Sequence, residues 1–513
     1  MVGVAILSTR RSFLRTSSMV VGSGVAVLLS AACGGTTSAT VASSATSSTA
    51  APTVASAPAS SSSSVAPLST TAAAPTTSSA AGTAATSTTA AATATATTAA
   101  VVKSATAQTF TYWDWWDPVS NPTFAAWFKY ARAAWAQQYP QVALDIVTIP
   151  AAGIDDYPNK FIAAVAGNDT PDALHMSVAY ARDLWDKGTL LDISSMVART
   201  PSIAADQFIP AAAFYNQADG KIFGTPVEGP SGYGIAYNVA HFQEIGATPT
   251  WETTSAWSWQ TFADTAAKLV QKDSSGVTRI GYLDSTPSLE YFCEWLYTQG
   301  GTFYAPDLKS VQFDQPRGVD ALQFTLDLMD RYATSGPLPK GVTNLQYFYQ
   351  GHISMMPMGL YLINNVHTAA PTLQWDLMPF PKGPAGAGPA TDIFVNMDSV
   401  PKESKAQDLA LNWMAFYSGP TVQAQRSAVA ALPSPRKDVY TSPQWKAAVA
   451  SIPQNQRVLD IAQLPAVGPY PYFRLTQLTG AWTPIITDTF AHKIPAGQAL
   501  QQAQQQMNSI LKS

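Results

Sequence analysis

The sequence predicts an α/β protein whose first folded half is built on a parallel sheet. A second α/β half follows a Gly- and Pro-rich crossing. Three observations carry this. From Thr109 to Met176 the apolar patterning runs strand, helix, strand, helix, strand, an order that gives a parallel sheet with right-handed crossovers. The stretch Asp219–Asn238 opens on an Asp-Gly turn signal and carries extended runs at Ile222-Phe223 and Gly234–Asn238. Between them lies Pro226-Val227-Glu228-Gly229-Pro230, which proline geometry bars from a helix. A lone Glu among three nearby aromatics reads as a passage between two lobes, lining a cleft. Beyond Asn238, helix and strand patterns resume.

The elements follow in order. Thr109–Trp113 is β-branched and aromatic, hence a strand. Asn121-Pro122 is an N-cap followed by Pro at the first helical position. Phe124, Trp127, Phe128, Ala131 and Trp135 then share one helical face that ends before Pro140. Strands are expected at Val142–Ile149 and Asp172–Met176, with a helix closing over Phe161–Ala166 between them. In the second half, Ser258 caps a helix with Trp259, Phe262, Ala266 and Leu269 on one face. Gly281–Leu283 is a strand, Leu289–Tyr297 and Gly318–Tyr332 are helices, and His352–Met358 and Trp375–Pro379 are short strands. Lys405–Tyr417 and the Gln-rich Gly497–Leu511 are helical. No repeat of solenoid length is present.

The N-terminal hundred residues do not belong to the folded body. Residues 1–32 combine a basic start with a short apolar run from Met19 to Leu29, about half the ~20 residues that span a bilayer, which fits a signal peptide. Arg10-Arg11-Ser12-Phe13-Leu14 resembles a twin-arginine export signal. Cys33, after Leu29-Ser30-Ala31-Ala32, resembles the lipidated cysteine of a bacterial lipoprotein box, with the usual Leu one place early. A diacyl anchor on Cys33 would hold the chain to a membrane without a spanning helix. Residues 33–106 are mostly Ala, Ser and Thr with some Pro, and Lys103 is their only charge. Such a segment cannot offset its ordering entropy and is expected to be a disordered linker spanning roughly 45 Å as a coil.

Composition excludes several functions. Charged residues make up 12% of the chain and the net charge is −4, against about 25% charged in an average domain. A nucleic-acid partner is therefore not expected. The two cysteines, Cys33 and Cys293, leave no disulfide if Cys33 is lipidated, and Cys293 reads as a buried thiol. The five His are scattered, so neither a metal site nor a cofactor is expected.

Open parallel sheets bind ligands at the carboxyl ends of their strands. There this chain places Trp113-Asp114-Trp115-Trp116-Asp117, then Asp155, Asp156 and Tyr157, then Ser177 and Tyr180. Flat aromatics cover the C–H face of a pyranose while carboxylates and amides take its hydroxyl rim. Trp115, Trp116, Asp117, Tyr157, Ser177 and Tyr180 are the candidate ligand residues on this ground.

Ordered motifs across residues 107–513 carry a resemblance to a known family. They are Trp135-Ala-Gln-Gln-Tyr-Pro140 before a strand, Phe161–Gly167 before Thr170-Pro171-Asp172-Ala173, Asp219–Pro226 leading to Ala236-Tyr237-Asn238, and Trp259-Gln-Thr-Phe262. Gly300-Gly301, Phe348–Gly351 and Met355–Gly359 continue the set. Together they resemble family 1 extracellular solute-binding proteins, the sugar receptors of ABC importers, similar to maltodextrin-binding protein. The resemblance implies a type II periplasmic-binding-protein-like fold, two discontinuous lobes joined by a hinge. Lobe 1 would be 107–226 with 380–432, and lobe 2 would be 230–378 with 436–513. It also implies ligand contacts from Glu228 in the crossing, Glu290 near a ligand loop, Tyr361 as a stacking aromatic and Trp482 in the last helical segment. Tyr470 and Tyr472 would rim the cleft or pack it.

The expected function is capture of a small-molecule solute, a saccharide first, for delivery to ABC permease subunits. The chain would act as a monomer, lipid-anchored outside the cytoplasmic membrane, with no catalytic residues. A non-sugar solute (polyamine, glycerol-phosphate type or peptide) is the alternative, and Asp114, Asp117, Asp155 and Asp156 keep polyamine open. A cleft glycosidase would need Asp117 and Glu228 as a carboxyl pair roughly 5–9.5 Å apart, and no local motif fixes one.

Overall fold

The computed structural model describes residues 108–512 apart from 120–121, 150–155, 285–287, 307, 314, 331–337, 387, 431 and 465. The leader 1–32, the linker 33–106 with Cys33, the N-cap Asn121 and Asp155 lie outside the described residues.

The strands are β1 (Gln108–Asp114), β2 (Val142–Thr148), β3 (Ala173–Ser177), β4 (Gln217–Ala218), β5 (Lys221–Ile222), β6 (Thr225–Ser231), β7 (Tyr233–Asn238), β8 (Gln271–Asp273), β9 (Gly276–Tyr282), β10 (Ile353–Gly359), β11 (Trp375–Met378), β12 (Ala390–Ser399) and β13 (Ala466–Pro469). β1 lies between β2 and β3 and runs parallel to both, as the strand–helix alternation requires. β12 continues that sheet antiparallel to β3, takes β6 antiparallel on its other edge, and runs parallel to β13. A second sheet has the order β11-β7-β10-β9-β8.

Helix Pro122–Gln138 lays Phe124, Trp127, Phe128, Ala131 and Trp135 into the core of the first sheet, each at most 2% exposed. Trp135 stacks on Tyr139 with centroids 4.0 Å apart and meets Trp413 of helix Gln407–Tyr417 edge-on at 5.4 Å. Truncating one such ring costs about 3–5 kcal/mol. Under the second sheet, Ser258 caps helix Trp259–Leu269 by accepting from the Thr261 amide at 3.1 Å, and Trp259, Phe262, Ala266 and Leu269 are buried.

The crossing, read from the sequence as a non-helical passage, has a Pro/Gly-rich middle that forms the strand β6, with all seven residues buried. Among the described residues β6 pairs with β12 alone. Pro226 and Pro230, which lack an N–H, are tolerated because one edge of the strand makes no ladder. The chain passes from one sheet to the other at Gly232, between β6 and β7. A Cβ there would sit 2.6 Å from the Asp392 carbonyl oxygen, so the close approach of two backbones requires glycine. The first passage thus falls after Ser231 rather than at 226–230. β13, expected to lie with the second lobe, adds to the sheet of the first. Among the described residues no helix is long and apolar enough to cross a membrane.

Candidate functional site

The carboxyl end of β1 gathers an aromatic cluster. Trp115 meets Trp116, Tyr157 and Tyr180 near-perpendicularly, with centroids 6.3, 5.9 and 5.9 Å away, and the His175 ring at 5.2 Å. Trp116 stacks flat on Phe124 at 4.4 Å, so the first helix supports the ring. Trp115, Trp116 and Asp117 are partly exposed, whereas Tyr157 is buried and donates its hydroxyl to the Trp113 carbonyl at 3.2 Å. Ser177 is partly exposed at the end of β3 and caps helix Val178–Asp186, accepting from the Ala179 amide at 3.3 Å. Tyr180 lies in the first turn of that helix, which brings it over Trp115.

Beneath the cluster is a buried charge network. The Trp116 indole N–H donates to Glu228 Oε2 at 3.0 Å, and its backbone amide to Asp114 Oδ1 at 2.9 Å. Asn396 Nδ2 donates to Glu228 Oε1 at 3.0 Å and Arg426 Nη2 to Oε2 at 2.5 Å. His175 Nε2 faces the same Oε2 from 3.5 Å, while Nδ1 lies 3.2 Å from Asp398 Oδ1, which also accepts from the Tyr112 hydroxyl at 2.8 Å. The Trp413 indole N–H takes Asp398 Oδ2. Asp114, His175, Glu228, Asp398 and Arg426 are each no more than 1% exposed.

Burial alone would push Glu228 up, but the Arg426 guanidinium and His175 more than offset it and hold the carboxyl at about 2. Burial likewise opposes charge on His175, yet Asp114, Asp398 and Glu228 around it raise the imidazole to about 10. Asp114 is pushed up to about 6 by burial, against the pull of His175 and the Trp116 amide. The network therefore carries two buried cations that pin the carboxylates, and through them Trp116, while the His175 ring packs against Trp115.

A second group comes from the other sheet and its helices. Glu290, in the first turn of helix Leu289–Thr298, accepts from the Ser288 hydroxyl at 3.1 Å and from the Tyr470 hydroxyl at 2.9 Å. Tyr361, just beyond β10, is partly exposed, and its ring folds over Gly359. Burial, then the nearby charge of Glu290, pushes its phenol up to about 12. Phe394 packs on Tyr470 at 4.5 Å and on Tyr233 at 6.0 Å. β12 joins the two groups, because Asn396 under Trp116 and Phe394 beside Tyr470 are two residues apart and share a face. Helix Pro122–Gln138 also touches helix Ile363–Ala369 through Asn364 Nδ2 and Thr123 Oγ1 at 3.4 Å, and the Arg474 amide donates to Asp183 Oδ1 at 3.2 Å.

Two expected ligand residues are placed elsewhere. Glu228 is not a cleft-floor side chain: both oxygens are spent on Trp116, Asn396 and Arg426, so it props the aromatic cluster from below. With its oxygens engaged by these buried donors, it does not face a substrate as the partner of Asp117 that a glycosidase would need. Trp482, in helix Leu475–Phe490, is fully buried between Phe292 and Phe313, with ring centroids 4.7 and 5.8 Å away. It is a core residue, because its helix turns that face onto helix Leu289–Thr298. Sequence reasoning missed His175, Asn396, Asp398 and Arg426, none of which carries a local motif. It also missed Phe394 and Tyr291, the latter 5.5 Å from the Tyr233 ring. Among the described residues no group of three or more His, Cys, Asp or Glu is arranged to hold a metal.

A two-sheet molecule of this topology, with an aromatic cluster at the strand ends and the connection between sheets made through β6 and β12, has the architecture of a solute receptor. Residues 132–454 match the family described as bacterial extracellular solute-binding protein, and the chain belongs to that family. It has the two-lobed fold of its members. These are exported receptors of the cell envelope that bind solutes rather than transform them. A curated relative, the arabinooligosaccharide-binding protein of Halalkalibacterium halodurans, is 19% identical over 62% of this chain and 70% of its own. An ABC substrate-binding protein of Listeria monocytogenes, solved in complex with cycloalternan, superposes with a TM-score of 0.67 at 20% identity, covering 79% of this chain and 99% of that one. The GacH receptor of Streptomyces glaucescens, solved unliganded and with acarbose, gives 0.64 at 21% identity over 79% and 99%.

Proposed function

We propose that this protein is the substrate-binding receptor of an ABC importer and that its solute is a sugar or oligosaccharide held between the two lobes. The observation that carries the reading is the rigid aromatic cluster at the end of β1. On one side a buried ion network holds the Trp116 indole by hydrogen bonds and meets Trp115 through the His175 ring, and Glu290 and Tyr361 stand on the other lobe. Trp115, Trp116, Asp117, Ser177 and Tyr180 of lobe 1 and Glu290 and Tyr361 of lobe 2 are the contacts we assign. Tyr157 and Glu228 act as supports. The names of the relatives, receptors of arabinooligosaccharides and cycloalternan, favour a saccharide over a polyamine. So does the sequestering of Asp114, which removes one of the carboxylates a polyamine would need.

The lobes are assigned as 107–231 with 380–432 and 233–378 with 436–513, the first passage being drawn at Gly232 and the β13 strand of the last segment adding to the sheet of the first lobe. Cys33 is the lipidated residue after a twin-arginine-type leader, and 33–106 is the tether that stands the receptor off the membrane near its permease. The receptor works as a monomer. Intrinsic tryptophan fluorescence tests the solute: a saccharide that fits should change the emission of Trp115 and Trp116 saturably. A flat response across arabino-, malto- and manno-oligosaccharides, polyols and glycerol phosphates would overturn the assignment.

A further inference from the structure

Behind the solute site, where the sheets cross, two carboxyl residues are in contact with no cation beside them among the described residues. Asp392, on β12, and Glu294, on helix Leu289–Thr298, are both fully buried. Glu294 Oε1 accepts from the Asp392 amide at 3.2 Å and lies 3.3 Å from the Thr391 hydroxyl. Among the described residues the other three oxygens, Glu294 Oε2 and both of Asp392, have no hydrogen-bond partner. An unpaired buried carboxylate is costly, and two side by side cannot both ionise. A proton on one of them turns an acceptor-only carboxylate into a donor for the unpaired oxygens.

The titratable groups facing the pair are Glu290, Tyr291, Cys293 and Tyr297 from the helix that carries Glu294, Tyr233 from β7, Tyr215 from helix Pro210–Tyr215, and Tyr361 and Tyr470. None of them is a base that could carry positive charge. Burial pushes both carboxyls well above the usual carboxylate range, with the charge of Asp392 adding to the effect on Glu294 and that of Glu290 adding to the effect on Asp392. Glu290 stands four residues before Glu294, one helical turn away on the same face. A negative charge deeper in the helix therefore acts on the carboxylate that Ser288 and Tyr470 hold at the solute site.

We propose that Asp392 and Glu294 form a proton-binding site, sharing one proton that keeps Glu290 seated at the solute site. Loss of that proton puts added negative charge one turn from Glu290, drives the β12–helix contact apart, and lowers solute affinity. The sign follows from the raised folded-state values: the protonated pair is retained at low pH and lost as pH rises. The proposal rests on the solute-receptor reading for its affinity effect but not for the proton itself, so two measurements separate them.

The infrared spectrum of the ligand-free protein reads the proton directly. The wild type should show the carbonyl stretch of a buried protonated carboxyl near neutral pH, and Asp392→Asn or Glu294→Gln should remove or shift it. Absence of that band in the wild type overturns the proposal, whatever binds. Saccharide titration from about pH 5 to about pH 9 reads the coupling. Wild-type affinity should fall with pH, by at most about tenfold per unit for one proton, and Asp392→Asn should flatten the profile. An unchanged slope in both Asp392→Asn and Glu294→Gln, or a flat wild-type profile, overturns the coupling. If no saccharide binds, the receptor reading fails and the infrared band still decides the proton. Should Asp392→Asn fail to fold, Glu294→Gln serves both arms.

Discussion

Replacing Glu228 by glutamine separates support from ligand contact. The carboxylate faces Arg426 at 2.5 Å, Trp116 Nε1 and Asn396 at 3.0 Å each, and His175 at 3.5 Å, with only 2% of its side chain exposed. Gln keeps the shape and one acceptor, but its amide nitrogen must turn toward Arg426, Trp116 or Asn396, all of them donors. Removing one partner of a buried ion pair costs about 3–5 kcal/mol, because the other charge stays buried and unpaired. With an unfolding entropy of about 2.1 cal/mol/K per residue, 4 kcal/mol lowers Tm by roughly 10 °C if a unit of about 170 residues melts together. Calorimetry of Glu228→Gln near neutral pH reads this directly. Adding Arg426→Met should recover part of the loss, since the pair is then replaced rather than broken. A Tm within about 1 °C of wild type, or a double mutant with the full sum of both losses, would refute the buried network. A large loss of affinity with Tm unchanged would return Glu228 to the cleft.

Further outcomes follow from the same geometry. His175, raised from 6.5 to about 10, contributes stability that is fully present below 6.5 and lost as pH climbs through 10. Denaturant melts should therefore fall by up to about 1.4 kcal/mol per pH unit in that window, a slope that His175→Gln removes. Trp482→Ala should cost about 3–5 kcal/mol of stability as a core deletion, while the folded fraction binds solute with wild-type affinity. Tyr361→Ala should weaken saccharide binding at least tenfold with Tm within a few degrees, whereas Tyr361→Phe should retain most of the stacking. Cys33→Ala should release the mature protein from membranes to the soluble fraction, read by fractionation and by the loss of lipid mass.

Much of this fold is written in local patterns. The face Phe124–Trp135, the Ser258 cap and the β1–β2–β3 order are each set by residues close together in sequence. The two most consequential strands are not. β6 is hidden by its prolines, which are permitted only because the strand lies at an edge. β12 alternates Asp392, Phe394, Asn396 and Asp398 with Ile393, Val395 and Met397. That period reads as a strand with one wet face, yet all ten residues are buried, because its polar face meets Glu294, Glu228 and His175 from distant parts of the chain. For the same reason the aromatic tip of β1 was legible at the site while the ions that hold it were not. A lone His in an apolar strand and an Arg in a helix of mixed character acquire their meaning only from partners that tertiary contacts supply. Trp482 shows the converse, a residue whose motif position suggests the cleft but whose helix face points into the core.

Isothermal titration of the mature protein with arabino-, malto- and manno-oligosaccharides tests the central claim most directly. The account predicts saturable one-to-one binding of at least one of them, with the heat diminished in Trp116→Ala and in Tyr361→Ala. No heat from any saccharide, with the protein folded by its melting profile, would contradict it.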